Sequence, residues 1–400
     1  MKIAFFVTEF PALSETFIIN QIIGLKNTGH TVHIYSQVPP STKMIHQSVL
    51  DSNLFDSTSY LNVIPFSRAK KIRKLLRLLL LNVNNRNNLL IFKNIFKKES
   101  NLSVYNLIPF LDHKTDYDVV HAHFGVNGNF VLGLRKLGMF KRAKFTTSFH
   151  GYDLNEAFSN RDIYNSLFEM CKSFTVNSQY SQGLLEKIGA PKNNICLIQV
   201  GVDLNKFNKI NNIENVDKPI KLLFVGRLVK FKAPDRFVQI CNLLKSKGLI
   251  FSATIVGDGI MLDEIIKMVR DYNLETEITI AEAKTQEEIV DIMDNHDIFV
   301  YPGITYNNRA ENQGLVIQEA QAMKLPVIIS DAGGMQEGIQ NNITGFVVKE
   351  DNLIGFVEKI LLLENNRGLI RKMGEEGRKF VIKNYDIEKL NDKLIKIYLN

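Results

Sequence analysis

Cysteine is scarce in this chain of 400 residues, where Cys171, Cys196 and Cys241 are the whole supply. They are odd in number, widely spaced and set in apolar or helical text. No disulfide framework is written here, and they read as reduced structural thiols of a cytosolic protein. Long apolar runs are missing too: none approaches the roughly 20 residues that cross a bilayer. The opening residues carry one lysine among apolar neighbours before Thr8 and Glu9, too short and wrongly flanked for a signal peptide. The expectation is a protein neither exported nor integral to a membrane. There is no P-loop, no G-x-S-x-G and no complete G-x-G-x-x-G, which disfavours NTPase, hydrolase and dehydrogenase readings.

Negative charge is missing from one stretch. Residues 57–98 hold ten Lys or Arg and no Asp or Glu; without them a chain of net charge +7 would be slightly acidic. Arg68, Lys70, Lys71, Arg73, Lys74 and Arg77 alternate there with leucines. A basic helix with a leucine face suits an anionic membrane surface, and residues 68–98 are the candidate contact. The plainer reading is a solvated helix whose leucines cover the core. No nucleic-acid-binding module accompanies the charge, so nucleic acid is not an expected partner.

What is present is ordinary globular text, 45% hydrophobic and 23% charged, about twice the length that one core organises. Short β-branched and aromatic runs alternate with helix-length segments, which predicts βαβ units and parallel sheets. Strands are expected at 2–7, 31–36, 119–121, 144–148, 174–176 and 195–198. A second set is expected at 221–225, 251–256, 278–280, 298–301, 326–330 and 346–348. A helix over 15–28 would start from a Ser14 cap and stop before Gly29. Polar, aperiodic residues 205–219 read as a linker between a first domain, 1–204, and a second, 220–384. A C-terminal helix over 385–400 is placed to pack back on the first domain. Two doubly wound α/β sheets in tandem put a ligand at the strand carboxyl ends, facing an inter-domain crevice.

The residues that follow strands therefore matter most. Arg227 and Lys232 share one strand-to-helix loop and could neutralise a diphosphate, one as a fork and one as a point charge. Gly314 keeps Glu311 out of the helix 315–323, so the backbone N–H groups of Gly314, Leu315 and Val316 sit at a helix N-terminus suited to phosphate oxygens. Glu319, a turn on, could accept from ribose hydroxyls, and Glu311 from sugar hydroxyls. His150 stands beside Gly151 at a strand end, where close approach to a ligand is possible. For each, a solvated loop, a helix-surface charge or a structural histidine is the plainer alternative. His121 and His123 share a strand face without a third metal ligand nearby. Asp116 and Asp118 precede a strand and read as solvated. Gly257-Asp258-Gly259 is a tight turn into a helix.

Taken in order, FPALSETFIINQ (10–21), HAHFG (121–125), FHGYD (149–153), VGVD (200–203), VGRLVKFKAPD (225–235), VGDG (256–259), ENQGLVIQEAQAMKLPVI (311–328) and GGMQEGI (333–339) resemble glycosyltransferase family four, retaining enzymes of the GT-B fold. The likeness spans nearly the whole chain and is strongest in the E-x7-E element of the second half. The opening motif and ENQG look most like the branch that builds capsular, exopolysaccharide or lipopolysaccharide repeat units. The resemblance implies two Rossmann-like domains facing each other across a cleft and no metal or other cofactor. It implies a UDP- or GDP-sugar donor and a saccharide acceptor, and the basic segment 68–98 adds the expectation that the acceptor is lipid-linked and met at the inner face of the plasma membrane. Arg227 and Lys232 would hold the diphosphate, Glu319 the ribose and Glu311 the transferred sugar, with His150 near the anomeric carbon. Two departures stand out. The usual glycine-rich loop after the first strand is replaced by residues 8–14, so Ser14, Glu15 and Thr16 are assigned to a divergent acceptor loop. The usual glycine after the first motif glutamate is Asn312. A sugar-nucleotide epimerase of the same fold, or a transferase-like partner subunit without activity, remain the competing readings.

Overall fold

The computed structural model describes residues 1–61, 110, 116–151, 153–154, 157, 160, 162–209 and 218–400. The basic segment 68–98, with its membrane reading, and most of the expected linker lie outside these residues. The chain forms two compact units: residues 1–176, 182–197 and 393–400 make one, and residues 177–181 and 198–392 the other. The first unit's main run thus closes at 197 rather than 204, and the last eight residues, not the whole C-terminal helix, belong to it.

The first unit holds a seven-stranded parallel sheet. Its strands are β1 (Lys2–Glu9), β2 (Thr31–Val38), β3 (Thr58–Tyr60), β4 (Val119–His123), β5 (Lys144–Phe149), β6 (Ser173–Val176) and β7 (Ile195–Leu197), ordered β3-β2-β1-β4-β5-β6-β7. Ile3 to Val7 are all buried, as a central parallel strand covered on both faces requires. Strand order reverses between β1 and β4, which pair in register Ile3↔Val119 to Phe6↔Ala122. Helix α1 (Thr16–Asn27) follows β1 and helix α2 (Gly125–Lys136) follows β4.

Ser14 does not cap α1. The chain turns first, Glu15 N–H donating to Ala12 C=O, so Glu15 becomes the N-cap, with no side-chain capping bond, and Ser14 is left exposed. The short strand β3 escapes a periodicity argument because Thr58–Tyr60 is only three residues long and half-buried.

The second unit repeats the plan with six strands: β8 (Ile220–Val225), β9 (Phe251–Val256), β10 (Ile278–Ala281), β11 (Ile298–Tyr301), β12 (Val327–Ser330) and β13 (Gly345–Val348), ordered β10-β9-β8-β11-β12-β13. All are parallel, and the reversal falls between β8 and β11. Helices α3 (Pro234–Ser246), α4 (Gln286–Asp294) and α5 (Leu315–Ala322) carry the residues that matter below. A continuous apolar core from Val202 to Tyr385 holds this unit together. Helix α6 (Ile387–Leu399) closes the chain.

Candidate active site

In the second unit the reversal between β8 and β11 is where doubly wound sheets leave a crevice at their carboxyl ends. The loop after β8 is pulled tight there. Gly226 N–H donates to Val256 C=O and Leu228 N–H to Asp258 C=O. A Cβ on Gly257 would lie 2.0 Å from Gly226 O, and one on Gly259 2.5 Å from Leu228 O, so the Gly257-Asp258-Gly259 turn serves close backbone approach. The loop ends in a 3-10 turn over Lys230–Lys232, a left-handed Ala233 and Pro234 at the first position of α3.

This winding aims Lys232 across to β11. Its Nζ lies 2.7 Å from Glu311 Oε2 and 2.8 Å from Tyr301 Oη, and Tyr301 Oη donates to the same carboxylate oxygen at 3.0 Å. Burial alone would raise the Glu311 carboxyl. The Lys232 charge and hydrogen bond, the Tyr301 hydroxyl and the Arg227 charge outweigh it and hold the group below the usual carboxylate range. Arg227 is exposed and acts on this cluster through its field.

Glu311 is also fixed from below. Gly334 N–H donates to its carbonyl at 2.9 Å, and a Cβ on Gly333 would meet that oxygen at 2.2 Å, which gives the glycine pair of the GGMQEGI segment its reason. Gly314 caps α5 with φ 69°. A Cβ there would come 3.2 Å from Glu311 Cγ, so the helix start and the carboxylate adjoin. The first-turn N–H groups, those of Leu315 and Val316 among them, have no acceptor within the helix. Asn312 is buried, its Oδ1 accepting from Ser181.

Glu319 is buried on the inner face of α5, its Oε1 accepting from Gln286 Nε2 at 3.1 Å. Lys206 Nζ donates in turn to Gln286 Oε1 at 3.2 Å and pairs with Glu287 at 3.0 Å. Burial pushes the Glu319 carboxyl up to about 7 against the pull of Gln286 and Lys206. The structure thus joins Lys232, Glu311 and Gly314 in one cluster under the influence of Arg227. It adds Tyr301, Gln286 and Lys206, which the sequence reading passed over. Tyr301 had a signal in its polar tip at the end of the apolar strand IFVY. Gln286 had one in its place just inside the capping box formed by Thr285 and Glu288.

In the first unit the reversal between β1 and β4 gathers histidines. The rings of His121, His123 and His150 stack at centroid spacings of 4.5 and 5.2 Å. His121 Nε2 bonds Ser148 Oγ at 2.6 Å, and its Nδ1 meets Tyr398 Oη of α6. His123 Nδ1 meets His150 Nε2 at 2.9 Å. Burial pushes His121 and His150 down to about 3 and His123 well below its ordinary value, the neighbouring imidazoles adding to the effect at His121 and His123.

His150 is placed by Asp153, a fully buried carboxylate that accepts from the backbone N–H groups of His150, Gly151, Leu154 and, across from α2, Gly125. The HAHFG and FHGYD segments are thereby tied together, and a Cβ on Gly125 would strike Phe149 and Tyr164 at 2.6 Å. Phe17 of α1 lies against His150 at 4.7 Å between centroids, which brings the Ser14-Glu15-Thr16 turn to the same end of the sheet. Asp118 accepts from Lys2 N–H at the opposite, entering end and is exposed. Among the described residues no group of three or more His, Cys, Asp or Glu is arranged to hold a metal ion.

The solved structure of Anabaena Alr3699/HepE in complex with UDP shares this fold, with a TM-score of 0.73 at 16% identity and 99% of both chains covered. Two family models tile the sequence, one described as Glycosyltransferase Family 4 over residues 14–206 and one as Glycosyl transferases group 1 over residues 205–380. The chain belongs to this family of GT-B glycosyltransferases. The putative colanic acid biosynthesis glycosyltransferase WcaL of Escherichia coli (strain K12) is 27% identical over 370 residues, 90% of each chain. The amylovoran biosynthesis glycosyltransferase AmsK of Erwinia amylovora is 29% identical over 364 residues, 88% of this chain and 87% of the relative. No described helix is long and apolar enough to cross a membrane.

Proposed function

We propose that this glycosyltransferase moves the sugar of a UDP- or GDP-sugar onto a hydroxyl of a lipid-linked saccharide during surface polysaccharide synthesis, keeping the anomeric configuration. The Lys232–Glu311–Tyr301 cluster beside the open start of α5 carries this reading. Departing diphosphate gathers negative charge; Lys232 and the N–H groups of Gly314, Leu315 and Val316 offer positive potential in partly buried surroundings, and the exposed Arg227 adds its field. The bond from the anomeric carbon to the diphosphate oxygen breaks. The acceptor oxygen attacks on the same face, and its proton passes to the leaving diphosphate. Glu311, held ionised, takes sugar hydroxyls; Glu319 takes the ribose; His150 serves the transferred sugar, and Ser14, Glu15 and Thr16 the acceptor. The UDP bound to Alr3699/HepE and the polysaccharide roles named for WcaL and AmsK support this assignment.

A panel of nucleotide-sugars, scored for binding and for transfer, is the direct test. One UDP- or GDP-sugar should bind and be consumed only with acceptor present. Isomerisation of donor alone would make the chain an epimerase instead. The membrane part has its own test. Replacing Lys70, Lys71, Arg73 and Lys74 with glutamine should weaken binding to anionic vesicles, at about 1 kcal/mol per residue near the surface, and spare donor affinity. Equal vesicle binding by variant and parent would remove the inner-face placement.

A further inference from the structure

Glu319 ends a line of side chains that begins in the VGVD segment. Asp203 Oδ1 accepts from the backbone N–H groups of Asn205 and Lys206 at 3.0 and 3.2 Å, which winds the chain into a turn just after that segment. Arg378 closes the turn from the other side, donating to the carbonyls of Leu204 and Phe207 and, at 2.9 Å, to that of Ala322 at the end of α5. The turn and the helix that carries Glu319 are thus one framework, and Lys206 leaves it with its ammonium on the Gln286 amide at 3.2 Å. Gln286 is fixed in its own right. It is the first residue of α4, directly behind the Thr285–Glu288 capping box, and it is buried together with Glu319.

An ammonium only donates, so the amide oxygen of Gln286 faces Lys206 and its NH2 faces Glu319, 3.1 Å from Oε1. The reverse orientation would set donor against donor at the Lys206 end. Charge therefore chooses the direction of the amide, and Glu319 must present an accepting oxygen at Oε1. With that oxygen held, the carboxyl plane no longer turns freely and Oε2 keeps one direction. We infer that Gln286, held by Lys206, is a positioning residue that points Glu319 at the nucleotide ribose and so sets the preference of this site for ribose over deoxyribose. The inference rests on the ribose role proposed for Glu319 above. A buried carboxylate discriminates for a hydroxyl only when its direction is fixed beforehand, because a turned carboxylate leaves the hydroxyl as poorly paired as its absence would.

Isothermal titration of the full chain with UDP and with GDP, each beside its 2′-deoxy and 3′-deoxy counterparts, reads this directly. The parent should bind one ribonucleotide at least about tenfold more tightly than a deoxy counterpart, and Glu319→Ala should bring the two within about threefold. Gln286→Met keeps the length of the side chain without its amide. It should shrink the preference nearly as far by weakening the ribonucleotide alone, with the deoxy counterpart held within about twofold. Lys206→Met, at the partly exposed end of the line, frees the amide to turn and should give a smaller loss of the same kind, with less risk to the fold. Equal weakening of both ligands by these variants would reduce Gln286 to a packing residue. A preference kept in both, while Glu319→Ala abolishes it, would overturn the inference and leave the ribose role standing. A parent indifferent to both hydroxyls would remove the ribose role of Glu319 and the inference with it.

Discussion

The two units share one topology and put opposite chemistry at the same topological place. Where β8 and β11 part, the second unit sets Lys232 against Glu311 with Arg227 nearby, side chains whose charges are held by one another. Where β1 and β4 part, the first unit sets three imidazoles that burial keeps uncharged and one carboxylate, Asp153, raised to about 6. A doubly wound sheet thus supplies only a location. On the proposed transfer reading, charge suits the place where a diphosphate would be stabilised as it leaves. On the same reading, neutral donors and acceptors suit the orientation of a sugar, whose hydroxyls carry no charge to answer.

The largest effect should come from breaking the charged side. Lys232→Ala and Glu311→Ala should each lower turnover by at least about a hundredfold, with donor binding hurt more by Lys232→Ala. Near-parental turnover in either folded variant removes the role given to that residue. Stability offers an independent reading of the same pair. Lys232→Ala leaves Glu311 mostly buried without its cation, an arrangement that costs about 3 kcal/mol or more, whereas the double variant leaves no orphan charge. Urea melts should find the double variant no less stable than Lys232→Ala alone.

Acidification should separate the two units next. His121 and His150, brought down to about 3 in the folded chain, contribute stability above the unfolded histidine value near 6.5 that is lost as pH falls toward 3. By pH 5 this is about 2 kcal/mol per imidazole, offset in part by Asp153, whose raised value favours the folded state as pH falls. Glu319 works in the opposite sense. Its folded value of about 7 lies above the unfolded one, so its contribution is present below the unfolded carboxyl range and lost as pH rises through 7. Hydrogen exchange at pH 7 and pH 5 should show amides of β4 and β5 losing protection before those of β8 and β11; the reverse order would contradict the contrast between the sites.

The smallest effect isolates Glu319. Glu319→Gln removes an ionisation that burial opposes and should raise the melting midpoint at pH 8, with the difference fading near pH 4.5. A difference that grows on acidification would show that Glu319 is ionised throughout.

The sequence by itself determined the architecture and marked candidates for the charged site, because both readings are local, whereas the meeting of Lys232 with Glu311 across 79 residues belongs to the fold. Alternating apolar strands and helices need no long-range information, and Arg227, Lys232, Gly314 and Glu319 follow strands whose positions periodicity gives. The opening turn was misplaced by one residue because Ser14 satisfies the composition of a cap while Glu15 satisfies its geometry. Tyr301, Gln286 and His123 were decided only by the tertiary structure. Tyr301 is the last residue of a buried strand, and only the fold brings its hydroxyl to Lys232 and Glu311. His121 and His123 share one strand face, and the strand by itself names no third metal ligand and no partner for either ring. The neighbouring strand β5 decides, pairing His121 with Thr146 and His123 with Ser148 and so bringing His150 onto His123. Sheet pairing joins residues 27 apart in sequence, and a donor or acceptor supplied from that distance has no local pattern to announce it.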